Sequence, residues 1–288
     1  MKVLVIGGVA AGTKAAAKWK RENRGDQVLV LTKSADISYA GCGLPYYVGG
    51  SIENREELIV NTPQKYRGLT GVEVRTLREA THVDPAAKVV TAQNLENGQE
   101  ETYSYDKLIL ATGASAVKLP IPGVDLNGVF PMRAPEDAIT MRDYLEANGV
   151  KKAVVIGGGF IGLELAENLF DRGVSVTVVE AASQILSGVL DPEMAGYVQR
   201  HLAQKGIRVL TGTKATALVG NGKVEGVQTG GGLLPCGVVV VSAGIRPNTA
   251  FLEGTGIQME KGAIVVDECL ATTCLLYTSP SPRDRQKS

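Results

Sequence analysis

Cysteine, histidine and tryptophan are scarce in this chain. Its 288 residues include four cysteines (Cys42, Cys236, Cys269 and Cys274), two histidines (His82 and His201) and one tryptophan. No pair of cysteines has C-x-x-C spacing, which excludes a C-x-x-C dithiol and a zinc ribbon. With only two imidazoles to add, no metal site is expected. Net charge is also missing, since 30 Lys and Arg balance 30 Asp and Glu. No global field draws the chain to nucleic acid or to an anionic membrane, and neither is expected as a partner. No run approaches the roughly 20 apolar residues of a membrane span, and MKVLVIGG enters a strand with no signal-peptide pattern, so a cytoplasmic protein is expected.

Glycine, by contrast, is abundant. Thirty-five glycines in a non-repetitive sequence that is 44% apolar point to many tight strand-to-helix turns, the joints of an α/β fold with real cores. The apolar run Val3 to Ile6 meets Gly7, a helical pattern follows over about Thr13 to Arg24, and a second apolar run spans 27–31: a βαβ unit. The same order returns about 150 residues later, with a strand at 153–156, the loop GGGFIG, a helix to about Arg172 and a strand at 174–179 ending in Glu180. Between the copies, residues 72–77 and 88–92 alternate as antiparallel strands would, and 105–113 reads as a buried strand ending in a glycine turn. LPIPGVDLNG (119–128) reads as a crossover between domains and 237–244 as a parallel strand.

The second loop satisfies G-x-G-x-x-G between strand and helix. Gly157 permits the tight turn, Gly159 lets backbone approach a pyrophosphate, Gly162 lets the helix pack on the strand, and the helix N-terminus offers N–H groups to phosphate. Glu180 would accept hydrogen bonds from the adenine ribose hydroxyls and repel a 2′-phosphate, which favours NADH over NADPH. The first loop, Gly7-Gly8-Val9-Ala10-Ala11-Gly12, has Val9 at the second glycine position, and its following strand ends at Thr32-Lys33 rather than at an acid. Two dinucleotide sites in one chain are what hydride transfer between two cofactors requires.

These two units, the LILATGA strand (108–114), the segment SYAGCGLPYY (38–47) and the VSAGIRPNT run (241–249) together resemble the flavin-dependent pyridine nucleotide-disulfide oxidoreductases. The similarity is to their single-cysteine branch, which holds coenzyme A-disulfide reductases, NADH oxidases, NADH peroxidases and persulfide reductases, and it covers residues 1 to about 273. The resemblance implies an α/β chain with two Rossmann-like, three-layer domains, the NAD(P)-binding domain inserted into the FAD-binding domain. Residues 1–114 would form the FAD domain, 115–245 the NAD(P)H domain, and 246–273 the start of a return to the first. FAD would lie against Gly7, Gly8, Val9, Ala10, Ala11, Gly12, Thr32, Lys33, Ala111, Thr112 and Gly113. NADH, with NADPH as the alternative, would lie against Gly157, Gly159, Phe160, Ile161, Gly162, Glu164, Glu180 and Gly244. In this family the aromatic matched by Phe160 lines the nicotinamide pocket, and Glu164 matches the acid that follows it.

Hydride would then pass to the flavin and two electrons to Cys42, the one catalytic residue expected. The position of Cys42 suits a reactive thiol, because Gly43-Leu44-Pro45 reads as the first turn of a helix whose dipole and N–H groups favour a thiolate. A buried, inert thiol is the reading given to Cys236 and Cys269. On the substrate side, Lys14, Lys18 and Arg21 share one face of the first helix at i, i+4 and i+7. They read either as a solvated face or as a phosphate-binding one. The resemblance adds that Arg21 matches an arginine contacting the coenzyme A nucleotide and that Ser38 matches a substrate-side serine. Gly41 stands where coenzyme A-disulfide reductases carry Asn, and Ala10 and Ala11 stand where oxidases and peroxidases carry His.

The acceptor would be a small-molecule disulfide or persulfide such as coenzyme A disulfide, with peroxide or oxygen through a cysteine sulfenic acid as the alternative. Family chains normally continue past residue 273 with a Gly-Asp segment and a dimerisation domain, so the intact form is expected to be a homodimer, and this chain could instead be an inactive nucleotide-binding fragment. Residues 274–288 (CLLYTSPSPRDRQKS) have no periodicity; they resemble library adaptor read-through, a natural disordered tail being the alternative.

Overall fold

The structure, a computed structural model, describes residues 1–273 and the backbone of 277–278. Apart from those two residues, the tail reading of 274–288 lies outside the described residues. Six α-helices are described: α1 (Ala10–Glu22), α2 (Leu44–Gly49), α3 (Pro63–Thr70), α4 (Pro135–Asn148), α5 (Phe160–Asp171) and α6 (Pro192–Lys205). The chain divides into two compact units. One gathers Met1–Tyr39, Ile59–Ser115 and the described residues from Arg246 onward; the other gathers Ala40–Leu58 and Ala116–Ile245.

In the first unit a parallel sheet runs in the order Tyr277–Thr278, Lys107–Leu110, Lys2–Ile6, Gln27–Leu31 and Glu73–Arg75. Its central strands are apolar on both faces because both faces are covered. Leu4, Ile6, Leu31, Leu108 and Leu110 pack with Val83, Val90, Ala92 and Tyr103 of a three-stranded antiparallel sheet. The alternate residues Val3, Val5, Val28, Val30 and Ile109 pack with Ala16 of α1 and Tyr66 of α3. The unit therefore has three layers, and the period of two along each strand decides which layer a side chain enters.

The second unit repeats this plan with strands Val129–Phe130, Val238–Val241, Lys152–Ile156, Ser175–Val179 and Arg208–Leu210, all parallel. Val154, Ile156, Val179 and Val239 pack with Ala215, Leu218 and Val227 of its own antiparallel layer. In both units the glycine loop leaves the carboxyl end of a central strand, where open α/β sheets bind ligands.

Three details differ from the sequence reading. Helix α1 begins at Ala10 rather than Thr13, which puts the end of the first loop inside the helix. The strand at 73–75 pairs in parallel with Gln27–Leu31; alternation reports one exposed face and carries no information about direction. The segment Ala40–Leu58, placed with the first domain from sequence, packs with the second unit.

Candidate active site

The second loop is built by contacts that a side chain would destroy. Gly157 has φ +114°, and a Cβ there would stand 2.3 Å from the Ser242 carbonyl oxygen. A Cβ on Gly162 would stand 2.1 Å from the Gly157 carbonyl oxygen, so the first turn of α5 lies directly on the loop. Gly159, the N-cap, differs: φ is −83°, and nothing in the protein lies within 4 Å of where its Cβ would be. Neither backbone nor packing requires glycine there, and what its absent side chain leaves is open space at the helix start. Beside it Phe160 is 59% exposed and Ile161 is also exposed, while Glu164 lies on the same helix, half-buried.

Glu180 is tied to this loop directly. One carboxylate oxygen accepts the Gly158 N–H at 2.6 Å and the other accepts the Ala182 N–H at 2.7 Å. Each oxygen keeps a lone pair for a further donor. Glu180 thus braces the loop as well as offering the acceptors that sequence assigned to it.

The first loop follows the same logic. Gly7, at φ +119°, sits against Ala111, whose carbonyl oxygen would be 2.0 Å from a Cβ; a Cβ on Gly12 would be 1.8 Å from the Gly7 carbonyl oxygen. A Cβ on Gly8 would stand 2.8 Å from the Thr32 side chain, and the Gly8 carbonyl accepts the Ser38 N–H at 2.9 Å. Val9 takes the N-cap with φ −103°, a conformation open to a β-branched residue, so its departure from glycine needs no compensation. Gly7 to Gly12, Thr32, Ser38 and Ala111 therefore converge on one strand end. Ser38 holds φ 48°, uncommon for a non-glycine residue. The Lys33 head group turns to Glu79 at 3.4 Å.

Helices α1 and α5 begin without a side-chain cap and with no acid in the first turn. By contrast α3 is capped by Thr62 and α6 by Asp191, while at α4 Asp137 of the first turn accepts the N–H groups of Arg133 and Ala134 just before the helix. A side-chain cap takes up one of the free N-terminal donors, whereas a helix with neither cap nor first-turn acid leaves them all to an anion. Both glycine loops thus fit a pyrophosphate, and the open space at Gly159 is the feature of the second that no protein contact explains.

Cys42 lies exposed in the 3-10 turn Gly41–Gly43 that leads into α2. Pro45 falls in the first turn of α2, as expected. A Cβ on Gly41 would touch nothing within 4 Å, so an Asn there meets no steric bar. Cys236 is buried, with its thiol pushed up to about 11 by desolvation, as read from sequence; Cys269 is exposed, contrary to the burial expected of it. The reason lies in local turn geometry: Cys269 occupies a turn in which its N–H donates to Asp267. Lys14, Lys18 and Arg21 are exposed on α1, with Lys18 paired to Glu22 in an i,i+4 contact.

Two residues absent from the sequence reading, Asn248 and Tyr66, shape these loops. Asn248 accepts from the Ser115 hydroxyl at 2.7 Å, donates its amide to the Thr112 carbonyl at 3.0 Å and its backbone N–H to the Gly113 carbonyl at 3.0 Å. It therefore holds the Thr112-Gly113 turn. Gly244 has φ +109° with open space at its Cβ position, and its carbonyl accepts from Val117. Tyr66 donates its hydroxyl to the Thr13 carbonyl in the first turn of α1. Asn248 stood within the RPNT run and could have been singled out there; Tyr66 gave no local signal. No described helix is long and apolar enough to cross a membrane.

Two dinucleotide-type loops and an exposed, glycine-flanked thiol define a class of redox protein built on paired Rossmann-like units. Residues 1–275 match the family described as pyridine nucleotide-disulphide oxidoreductase, and the chain belongs to that family. It is 37% identical over 273 residues to an NADH oxidase of Methanocaldococcus jannaschii, covering 95% of this chain and 61% of that protein. It is 35% identical to an NAD(P)H sulfur oxidoreductase (CoA-dependent) of Pyrococcus furiosus, covering 94% of this chain and 60% of that one. Among solved structures, an NAD-dependent persulfide reductase from A. fulgidus superposes with a TM-score of 0.93 at 37% identity, over 96% of this chain and 52% of that one. The chain thus spans about three fifths of the curated relatives it matches.

Proposed function

We propose that this chain is the nucleotide-binding and thiol-bearing part of an FAD-dependent NAD(P)H oxidoreductase that reduces a small-molecule disulfide or persulfide at Cys42. The observation that carries this reading is an exposed Cys42, flanked by glycines, in a family chain with two uncapped glycine-loop helices. The names of relatives that act on sulfur or coenzyme A substrates support it. Bound nicotinamide and flavin would supply the hydride and the electron pair. The first loop, with Thr32 and Ala111 to Gly113, would bind FAD, and the second, with Phe160, Ile161, Glu164, Glu180 and Gly244, would bind NADH in preference to NADPH.

The protein's own step is at sulfur. The Cys42 thiolate attacks one sulfur of RSSR, forming a Cys42–S–S–R bond and expelling RS⁻. Two electrons and a proton then return Cys42 to thiolate and release RSH, so that NADH, H⁺ and RSSR give NAD⁺ and two RSH. The second sulfur arrives with the substrate, which accounts for a single cysteine in SYAGCGLPYY. The basic face of Lys14, Lys18 and Arg21 and the Ser38 hydroxyl are assigned to the phosphate-bearing part of such a substrate. The intact protein is assigned as a cytoplasmic homodimer.

The test is reconstitution of the chain with FAD, followed by NADH and coenzyme A disulfide. NADH should bleach the flavin's visible absorbance, and the disulfide should restore it with thiol release in wild type but not in Cys42→Ser. Restoration by the Cys42→Ser variant at the wild-type rate contradicts the assignment. Faster restoration by oxygen than by disulfide would favour the oxidase reading, which relatives named NADH oxidase keep open.

A further inference from the structure

Helix α2 has six residues, too few to persist unaided in water, where about 12 to 15 are marginal. What holds it comes from other elements of the same unit. Arg142 of α4 directs Nη1 at the carbonyls of Tyr47 (3.3 Å), Ile52 (3.1 Å) and Glu53 (3.0 Å), and its guanidinium lies 4.6 Å above the Tyr47 ring. Arg172, the C-cap of α5, donates to the Val48 carbonyl at 2.7 Å. Glu146 of α4 joins the two, accepting from Arg142 at 3.2 Å and from Arg172 at 3.1 Å. These guanidiniums, Arg172 first, hold the Glu146 carboxyl below its ordinary range. The Gly49 backbone also lies close against the Asn168 side chain of α5: a Cβ on Gly49 would stand 2.2 Å from its amide oxygen.

We infer that Arg142 and Arg172, joined through Glu146, are positioning residues for Cys42, gripping by its C-terminal carbonyls the helix whose opposite end begins at the thiol-bearing turn. The inference rests on the reading of Cys42 as the reactive thiol. The carbonyl end of a helix is its negative pole, and cations placed there satisfy the orphan acceptors and fix the axis together. Arginine suits the task because its planar fork can donate and stack at once; lysine at 142 would keep the charge and lose the fork. Neither arginine touches the reacting sulfur, so each acts through α2.

The chain carries standards for the test, since Cys269 is exposed and Cys236 is buried. Alkylation with iodoacetamide at neutral pH, followed peptide by peptide by mass spectrometry, gives the Cys42 to Cys269 rate ratio, while Cys236 labelling reports loss of fold. Arg142→Ala and Arg172→Ala should each lower the ratio by roughly threefold or more with Cys236 protected, because thiol reactivity follows the local environment. Arg142→Lys should lower it less, and Arg208→Ala, at an exposed position on the edge strand, should not move it. An unchanged ratio in both alanine variants overturns the inference, as does an equal change in Arg208→Ala. Where an alanine variant exposes Cys236, Arg142→Lys and Glu146→Gln decide, and an unchanged ratio in both overturns it. An unchanged ratio leaves the redox reading of Cys42 standing. A wild-type Cys42 that takes no adduct from a small disulfide removes that reading while leaving the grip on α2 intact.

Discussion

Gly159 and Gly162 are three residues apart, yet different constraints act on them. At Gly162 the Cα approaches a carbonyl of its own loop, so Gly162→Ala should cost about 1–3 kcal/mol of stability, as overpacking does, visible as a lower thermal midpoint. At Gly159 the backbone is ordinary and the space is open. Gly159→Ala should therefore leave the melting temperature unchanged or slightly raised, while weakening NADH binding measured by titration. Equal NADH affinity in that variant would show that the open space serves no ligand. Glu180 sits between these cases, because it holds the loop through two backbone N–H groups. Glu180→Gln should lower NADH affinity by about 10-fold, through loss of a charge-assisted bond of about 1.5–3 kcal/mol, and lower NADPH affinity less. Gly41 is open too, and Gly41→Asn should fold normally and raise the rate with coenzyme A disulfide; an unchanged rate would remove the weight given to that position.

Among the helices, the described N-termini fall into two groups. Helices α3 and α6 are capped by Thr62 and Asp191, and α4 carries Glu136 and Asp137 in its first turn, whereas α1, α2 and α5, which follow the two glycine loops and Cys42, have neither a side-chain cap nor an acid there. Only the uncapped side of this division was legible in sequence, since glycine motifs and apolar runs are local patterns. The direction of the strand at 73–75, the allegiance of residues 40–58 and the grip of Arg142 on α2 were not. The last joins residues 95 apart in the chain, and an arginine at a helical position looks the same whether it is solvated or holds three carbonyls. Buried protons give a further test at this scale. Desolvation raises Cys236 to about 11 and Tyr66 to about 12, above the ordinary values of 9.0 and 10.0. A raised acid binds its proton more tightly when folded, so this stability is complete below the ordinary value and is lost as pH rises through the folded one. Denaturant midpoints should fall from about pH 9 to about pH 12. Cys236→Val should remove the lower part of that fall; an unchanged profile would mean that Cys236 ionises as freely folded as unfolded.

Over the whole molecule, opposite charges balance and recognition falls to sites rather than to a global field. Two units of one plan, each with a glycine loop at the carboxyl end of a central strand, give the family its capacity for two dinucleotides. The thiol segment packs with the second unit although it departs from the first in sequence. Such an arrangement cannot be read from local periodicity, because it depends on α2 meeting α4 and α5. The most direct test of the single-thiol claim is to mix the chain with coenzyme A disulfide and follow adduct mass on each cysteine peptide. The account predicts one coenzyme A moiety on Cys42, formed at least about tenfold faster than on the exposed Cys269 and released when NADH is added to the FAD-loaded chain. Equal labelling of Cys42 and Cys269, or an adduct that NADH does not release, would contradict it.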